Sequence, residues 1–215
     1  MPDGRAPTPR NPEGSIRAFF ALWPDPSAGD ALALLAGETA RRTQGRAAPS
    51  GNLHLTLVFL GDVAVTRVTA LSALGLAAAS MVPAFPLTLD RTGTFRGSGI
   101  AWLGASATPR ELVELVQRLR DALIAEGFAF ERRAFQPHVT LARRCRMPGD
   151  VRSAPPIAWN VSRVALYASE PGSDGSRYRE LAGWPLGPRR SDDRIGHATG
   201  TVSLSAGRPP STSSS

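Results

Sequence analysis

Between two polar ends rich in proline and glycine, the chain alternates short apolar runs with longer segments of helical period. Ile16 to Leu22 (IRAFFAL) is a compact apolar run suited to a buried strand, and Pro26 opens a segment through Arg42 whose Ala and Leu spacing suits an amphipathic helix. Leu53 to Leu60 (LHLTLVFL) alternates, which predicts a strand that stops at the Gly61-Asp62 turn signal. Val65 to Ser80 reads as a second helix, Phe85 to Phe95 and Ile100 to Gly104 as two strands around a glycine-rich turn, and Pro109 to Glu126 as a third helix stopped by Gly127. Pro137 to Arg143 (PHVTLAR) is a further strand, Ala158 to Ser169 another and Tyr178 to Trp184 a last one. The Gly/Ser/Pro-rich stretch from Ser169 to Tyr178 reads as a loop. Helices and strands in short antiparallel groups point to the α+β class. Residues 1–14 and 189–215 hold too little apolar surface to pack and are expected to be disordered, which leaves one domain over 15–188.

The bulk figures narrow what such a domain could do. A chain of 215 residues, 42% hydrophobic, can bury a real core in a bilobed unit. It contains no run of about eighteen apolar residues, and Met1 to Arg10 carry prolines and charges instead of an apolar signal region, so a soluble, cytoplasmic protein is expected. A single cysteine, Cys145, excludes an internal disulfide framework and a cysteine-based metal cluster, and suits a reducing compartment. The net charge is +7, and all 25 residues counted as Lys+Arg are arginine. Richness in Ala, Gly, Pro and Arg also follows from GC-rich coding, but the positive balance favours a polyanionic substrate over a cationic one. Neither the P-loop nor the dinucleotide fingerprint occurs.

The chemistry-bearing feature is a pattern that occurs twice, as His54-Leu55-Thr56-Leu57 and as His138-Val139-Thr140-Leu141. Of the three histidines, only His197, in the C-terminal tail, stands outside it. Side chains alternate across a strand, so His54 and Thr56 share one face while Leu53, Leu55 and Leu57 share the other, and the second copy repeats this. A single histidine in a strand is usually a satisfied, half-buried residue. Two copies are another matter, because two halves that each present a His/Thr face can form a pseudo-symmetric cleft. One neutral imidazole could then take a proton from water while a protonated one gives a proton to a departing oxygen. An ordinary histidine pKa of ~6.5 makes both forms accessible near neutrality. The two threonines could donate hydrogen bonds to non-bridging phosphate oxygens. Neither copy carries a further His, Cys or acidic residue at ligand spacing, so no metal and no cofactor is expected.

These motifs, the opening strand Ile16 to Leu22, the stretch Asn52 to Gly61 (NLHLTLVFLG) and Pro137 to Arg143 resemble the RNA 2′,3′-cyclic phosphodiesterases of the two-histidine phosphoesterase superfamily, also known as bacterial 2′-5′ RNA ligases. The resemblance runs from about Ile16 to Leu186. It implies a bilobed α+β fold with two antiparallel sheets flanked by helices around a central cleft, related by a pseudo-two-fold axis. It further implies metal-independent hydrolysis of RNA 2′,3′-cyclic phosphate ends, such as those of tRNA fragments, to a 2′-phosphate, and a weaker reverse joining through a 2′-5′ linkage. By the same resemblance His54 is the acid that protonates the leaving O3′ and His138 the base that orients water, although the near symmetry of the cleft lets the roles exchange.

Arg143 matches the family's arginine expected on the phosphate or nucleotide. It lies an odd number of residues after His138, so an ideal strand would turn it away, and it reaches the cleft only if the strand bends or bulges near its end. Arg17 in the first strand is a further basic candidate, equally readable as a surface charge. Phe95, Trp102 and Phe135 are conceivable platforms for bases, though such residues are more often core. Ser169 and Tyr178 resemble a family feature without a catalytic role. Two other readings stay open: a phosphodiesterase for nucleoside 2′,3′-cyclic phosphates or ADP-ribose cyclic phosphate, and a non-catalytic nucleotide- or RNA-binding module. Nothing in the sequence calls for more than a monomer or for a membrane partner.

Overall fold

The computed structural model describes residues 14–95, 97–147, 151, 154–172 and 175–187; apart from Gly14, the two ends expected to be disordered lie outside the described residues. Strand β1 (Ser15–Leu22) leads into α1 (Pro26–Thr43). The helix starts as its sequence requires: Asp25 accepts a hydrogen bond from the Ala28 N–H at 2.9 Å, and Pro26 occupies the first turn, where no N–H is needed. Arg41 and Arg42 complement the carboxyl end, and Gln44 closes it in the left-handed conformation. Its buried residues Ala28, Leu32, Ala36 and Ala40 recur every four positions, and this stripe packs on β7 (His138–Arg143) and β8 (Ile157–Val161).

The chain continues through β2 (Arg46–Ala47), β3 (Leu55–Ala64), α2 (Val68–Ser80), β4 (Phe85–Leu89), β5 (Arg91–Phe95), β6 (Ile100–Gly104) and α3 (Arg110–Ala125), and closes with β9 (Arg163–Gly172) and β10 (Gly175–Pro185). One antiparallel sheet of eight strands runs β10-β9-β1-β3-β7-β6-β5, with β2 beside β7; β4 and β8 form a separate pair. The large sheet is in effect two halves. β10, β9, β1 and β3 make one, and β7, β6, β5 and β2 the other. Among the described residues, the strand pairing that joins them is that of Leu55 with Val139. Helix α2 packs on β9 and β10, and α3 on β3 and α2, so helices flank the first half as α1 flanks the second. Among the described residues no helix is long and apolar enough to cross a membrane.

Four predicted boundaries are corrected. Phe85–Phe95 is two strands: β4 pairs with β8 and β5 with β6, and between them Asp90 accepts from the backbone N–H and hydroxyl of Ser106. Ala158–Ser169 likewise breaks at Ser162, with β8 in the small sheet and β9 against β1. Strand composition runs unbroken across both changes of sheet, so periodicity does not mark them. The β3 strand continues past Gly61-Asp62 to Ala64, because Gly61 takes φ +72 inside a bulge in which Ala18 pairs with Gly61 and Phe19 with Phe59. The stretch from Ser169 to Tyr178, expected as a loop, is mostly the β9–β10 hairpin. The Val65–Ser80 segment is helical throughout but opens with a 3-10 turn at Val65–Arg67.

Helix α2 can approach the sheet because Gly75 faces it. A Cβ at Gly75 would overlap the indole of Trp184 and stand 2.9 Å from Phe20. Gly75→Ala is therefore expected to lower stability by about 1–3 kcal/mol, in spite of alanine's better helix propensity. A urea midpoint at or above that of the wild type would show that the helix can shift at no cost.

Candidate active site

The two His-x-Thr-Leu copies meet at the seam between the halves. Leu53, Leu55, Val139 and Leu141 are fully buried on the core side, so His54, Thr56, His138 and Thr140 must turn the other way, where all four line a cleft of about 560 Å³. The antiparallel pairing of Leu55 with Val139 puts His54 across from Thr140 and Thr56 across from His138. The Thr56 hydroxyl lies beside the His54 ring, and all four side chains share the cleft wall.

Arg143 also lines the cleft, which strict alternation forbids and a bulge allows. In the β6–β7 ladder Trp102 pairs with Thr140 and Ala101 with Ala142, so Leu141 is the extra residue and the strand's facing changes after it. The first copy does the same. Ala21 pairs with Thr56 and Phe20 with Val58, which leaves Leu57 extra and brings Phe59 to the cleft wall. The leucine of each motif is the bulged residue, and Phe59 and Arg143 are equivalent positions in the two halves.

Hydrogen bonds fix the ring tautomers. Nδ1 of His54 lies 2.8 Å from the carbonyl of Asn52, and Nδ1 of His138 lies 2.7 Å from that of Gln136. A carbonyl can only accept, so Nδ1 carries the proton in both rings and Nε2 of each neutral imidazole is the acceptor. The Thr56 hydroxyl, 3.1 Å from Nε2 of His54, donates to it. Burial pushes the His54 pKa down to about 4; its bond to Asn52 opposes this, and the charges of Arg143 and His138 add to it. His138 is lowered as well, by burial first and then by Arg143, against its bond to Gln136. With the cleft empty, both rings are neutral at pH 7.

Aromatic rings hold the imidazoles. Tyr178 meets His54 edge to face at 4.9 Å and 81°, and Phe95 meets His138 at 4.9 Å and 81°. His54 has in addition Trp23 stacked on it at 4.9 Å and 13°, and Phe19 at 5.2 Å. Phe95 faces the cleft, whereas Trp102 is buried behind it and the half-buried Phe135 packs on the core. Arg17 is not brought into the cleft wall: it sits nearer the start of β1 and lies over Phe59, 5.3 Å from the ring centre. Sequence reasoning named Tyr178 only as resembling a family feature and missed Arg46, Arg144 and Asn52; all four line the cleft. Asn52 also donates its side-chain amide to the Ser176 carbonyl at 2.7 Å, tying the His54 loop to β10. Among the described residues no group of three or more His, Cys, Asp or Glu side chains is assembled.

The model of the 2′-5′ RNA ligase superfamily matches residues 24–172. The RNA 2′,3′-cyclic phosphodiesterase of Escherichia coli is 38% identical over 146 residues, which cover 66% of this chain and 80% of the relative. That of Thermotoga maritima is 32% identical over 139 residues, covering 60% and 73%. Among solved structures, E. coli LigT complexed with 3'-AMP superposes with a TM-score of 0.69 at 32% identity, over 80% of this chain and 99% of that one. Thermus thermophilus TT0787 gives 0.68 at 27% identity, over 80% and 99%.

The ring environments set how stability responds to pH. Above about pH 6.5, His54 is neutral whether the chain is folded or not; below it the unfolded chain takes up the proton first, and the folded state loses stability until the pH passes the folded value of about 4. Between pH 7 and 4.5 the wild type should lose on the order of 2 kcal/mol more than His54→Gln, measured by urea unfolding. Parallel losses in the two proteins would mean that His54 is not buried as a neutral ring. Histidine NMR titration of the unliganded protein should give a midpoint near 4 for His54 and one below the usual histidine value for His138.

Proposed function

The chain belongs to the 2′-5′ RNA ligase superfamily, and from that premise we propose that it hydrolyses RNA 2′,3′-cyclic phosphate ends to 2′-phosphates with His54 and His138 as its acid/base pair. The observation that carries this is the seam itself. One backbone pairing brings two identical His/Thr faces together, and each imidazole turns an Nε2 into the same cleft. A phosphodiester bound between the rings has an imidazole on either side, as an in-line displacement at phosphorus needs.

In the reaction, neutral His138 takes a proton from water as its oxygen attacks phosphorus. Protonated His54 gives a proton to O3′ as the P–O3′ bond breaks, leaving a 2′-phosphate and a 3′-hydroxyl. Thr56, Thr140 and Arg143 hold the non-bridging oxygens, on which negative charge grows. With a 5′-hydroxyl in place of water and the roles unchanged, the same step joins two ends through a 2′-5′ linkage; run backwards, the pair exchanges roles and cleaves that linkage. The step asks nothing of a metal.

Both rings must be in opposite protonation states, and both start below the usual histidine range. The productive form of the free enzyme is therefore most abundant below pH 6.5, and kcat/KM should fall about tenfold per unit well above it. A bound phosphodiester anion raises both values, so kcat should peak at higher pH than kcat/KM.

The direct test is hydrolysis in EDTA of an oligoribonucleotide ending in a 2′,3′-cyclic phosphate. Wild type should release a 2′-phosphate end, and His54→Ala and His138→Ala should each lose at least ~100-fold. Activity abolished by EDTA would sink the metal-free step. An inert wild type that still binds RNA would leave a binding module in place of an enzyme.

A further inference from the structure

We propose that Arg144 and Arg46 form a second phosphate subsite beside the reacting one, which holds the 5′-side phosphodiester of the terminal nucleotide and makes the cleft prefer an RNA end to a bare nucleoside cyclic phosphate. The inference rests on the cyclic-phosphate reading above and adds the feature of the substrate that it leaves open.

Arg143 and Arg144 are consecutive, yet both line the cleft. A regular strand points neighbours to opposite faces, and here the backbone departs from that: Arg144 adopts φ +56, a left-handed conformation disfavoured for a side chain of its kind. The surroundings hold it there. The N–H of Cys145 donates to the Gly99 carbonyl at 2.9 Å, and those of Arg146 and Met147 donate to the Thr43 carbonyl at the end of α1 at 2.9 and 3.0 Å. The Cys145 side chain is buried, with its Sγ 3.2 Å from the Thr43 hydroxyl oxygen. Gly45 lets this segment close up: a Cβ there would stand 2.9 Å from the Arg143 carbonyl. Cys145, unremarkable in the sequence, is thus an anchor beneath the arginine pair.

Arg46 is the cross-strand partner of Arg143 and lines the same wall. Three guanidinium groups therefore share the wall, and no Asp or Glu is among the described residues lining the cleft. A cyclic phosphate carries a single negative charge. It is already met by two imidazoles, two hydroxyls and Arg143, the arginine whose charge depresses both imidazoles. Two further guanidinium groups lining the same wall match a second anionic group, and in an RNA end the neighbouring anion is the next phosphodiester.

Calorimetry with three 2′-phosphate products tests this without turnover: adenosine 2′-phosphate, adenosine 2′,5′-bisphosphate, and a diadenosine dinucleotide with an internal phosphodiester and a terminal 2′-phosphate. Wild type should bind the last two at least ~10-fold more tightly than the first, by an advantage that shrinks as salt is raised. Arg144→Gly, which suits the left-handed backbone, and Arg46→Ala should each reduce that ratio to within about threefold, and Arg144→Lys should keep part of it. Thermal unfolding confirms that the variants are folded. Equal affinities in wild type, or weakening of all three ligands alike in Arg144→Gly, would overturn the subsite. An advantage for the bisphosphate with none for the dinucleotide would overturn it as a reader of RNA. Hydrolysis of an oligoribonucleotide ending in a 2′,3′-cyclic phosphate, measured alongside, bears on the catalytic reading alone: its absence with the binding ratio intact would refute that reading and leave the subsite standing.

Discussion

One backbone pairing, Leu55 with Val139, holds the two halves of the large sheet in register, and the site depends on it. Because side chains alternate with a period of two, a slip of either strand by one residue would send its imidazole into the core and bring its apolar residues to the cleft. The fully buried Leu53, Leu55, Val139 and Leu141 resist that slip, since exposing any one of them forfeits roughly 1.5–3 kcal/mol of burial. The apolar back of each motif thus fixes the register, and the register fixes the chemistry in front. In His-x-Thr-Leu the intervening residue and the leucine hold the histidine and the threonine in place.

The symmetry is close in the backbone and broken in the packing. Each motif bulges at its leucine, and each histidine meets one ring edge-on at the same distance and angle. Beyond that the halves differ. The bulge brings Phe59 to the wall on one side and Arg143 on the other, and only His54 lies flat against an indole, that of Trp23. Two rings in nearly matching backbone settings therefore come to differ in environment.

How far the site could be read in the sequence follows from which rules are local. The His/Thr faces were legible because alternation within a strand is local and the apolar back names the buried side. Arg143 was legible only with a bulge allowed, and the bulge lies where the alternation of burial fails, at Leu141-Ala142. Tyr178, Arg46 and Arg144 were not legible as cleft residues. Tyr178 arrives from a hairpin whose glycines and serines read as a loop, Arg46 from a strand of two residues too short to carry a period, and Arg144 from a left-handed turn that an arginine does not advertise. The divisions at Asp90 and Ser162 escaped for a related reason, since a strand's own sequence says that it is buried, not which sheet buries it.

Arg143 presents a paradox that its position resolves. A mechanism that needs one protonated imidazole is poorly served by a nearby guanidinium that depresses both. With the cleft empty the cost is small, because neutral rings are the cheaper ones to bury. In the proposed reaction, the negative charge of a bound phosphodiester would offset that of Arg143 and make a proton on one ring favourable again. Binding and protonation are then linked: the ligand that needs the acid also raises its pKa, and substrate affinity rises as the pH falls towards the free histidine values. The arginine therefore helps to confine the charged form of the site to the complex, where the proton has somewhere to go.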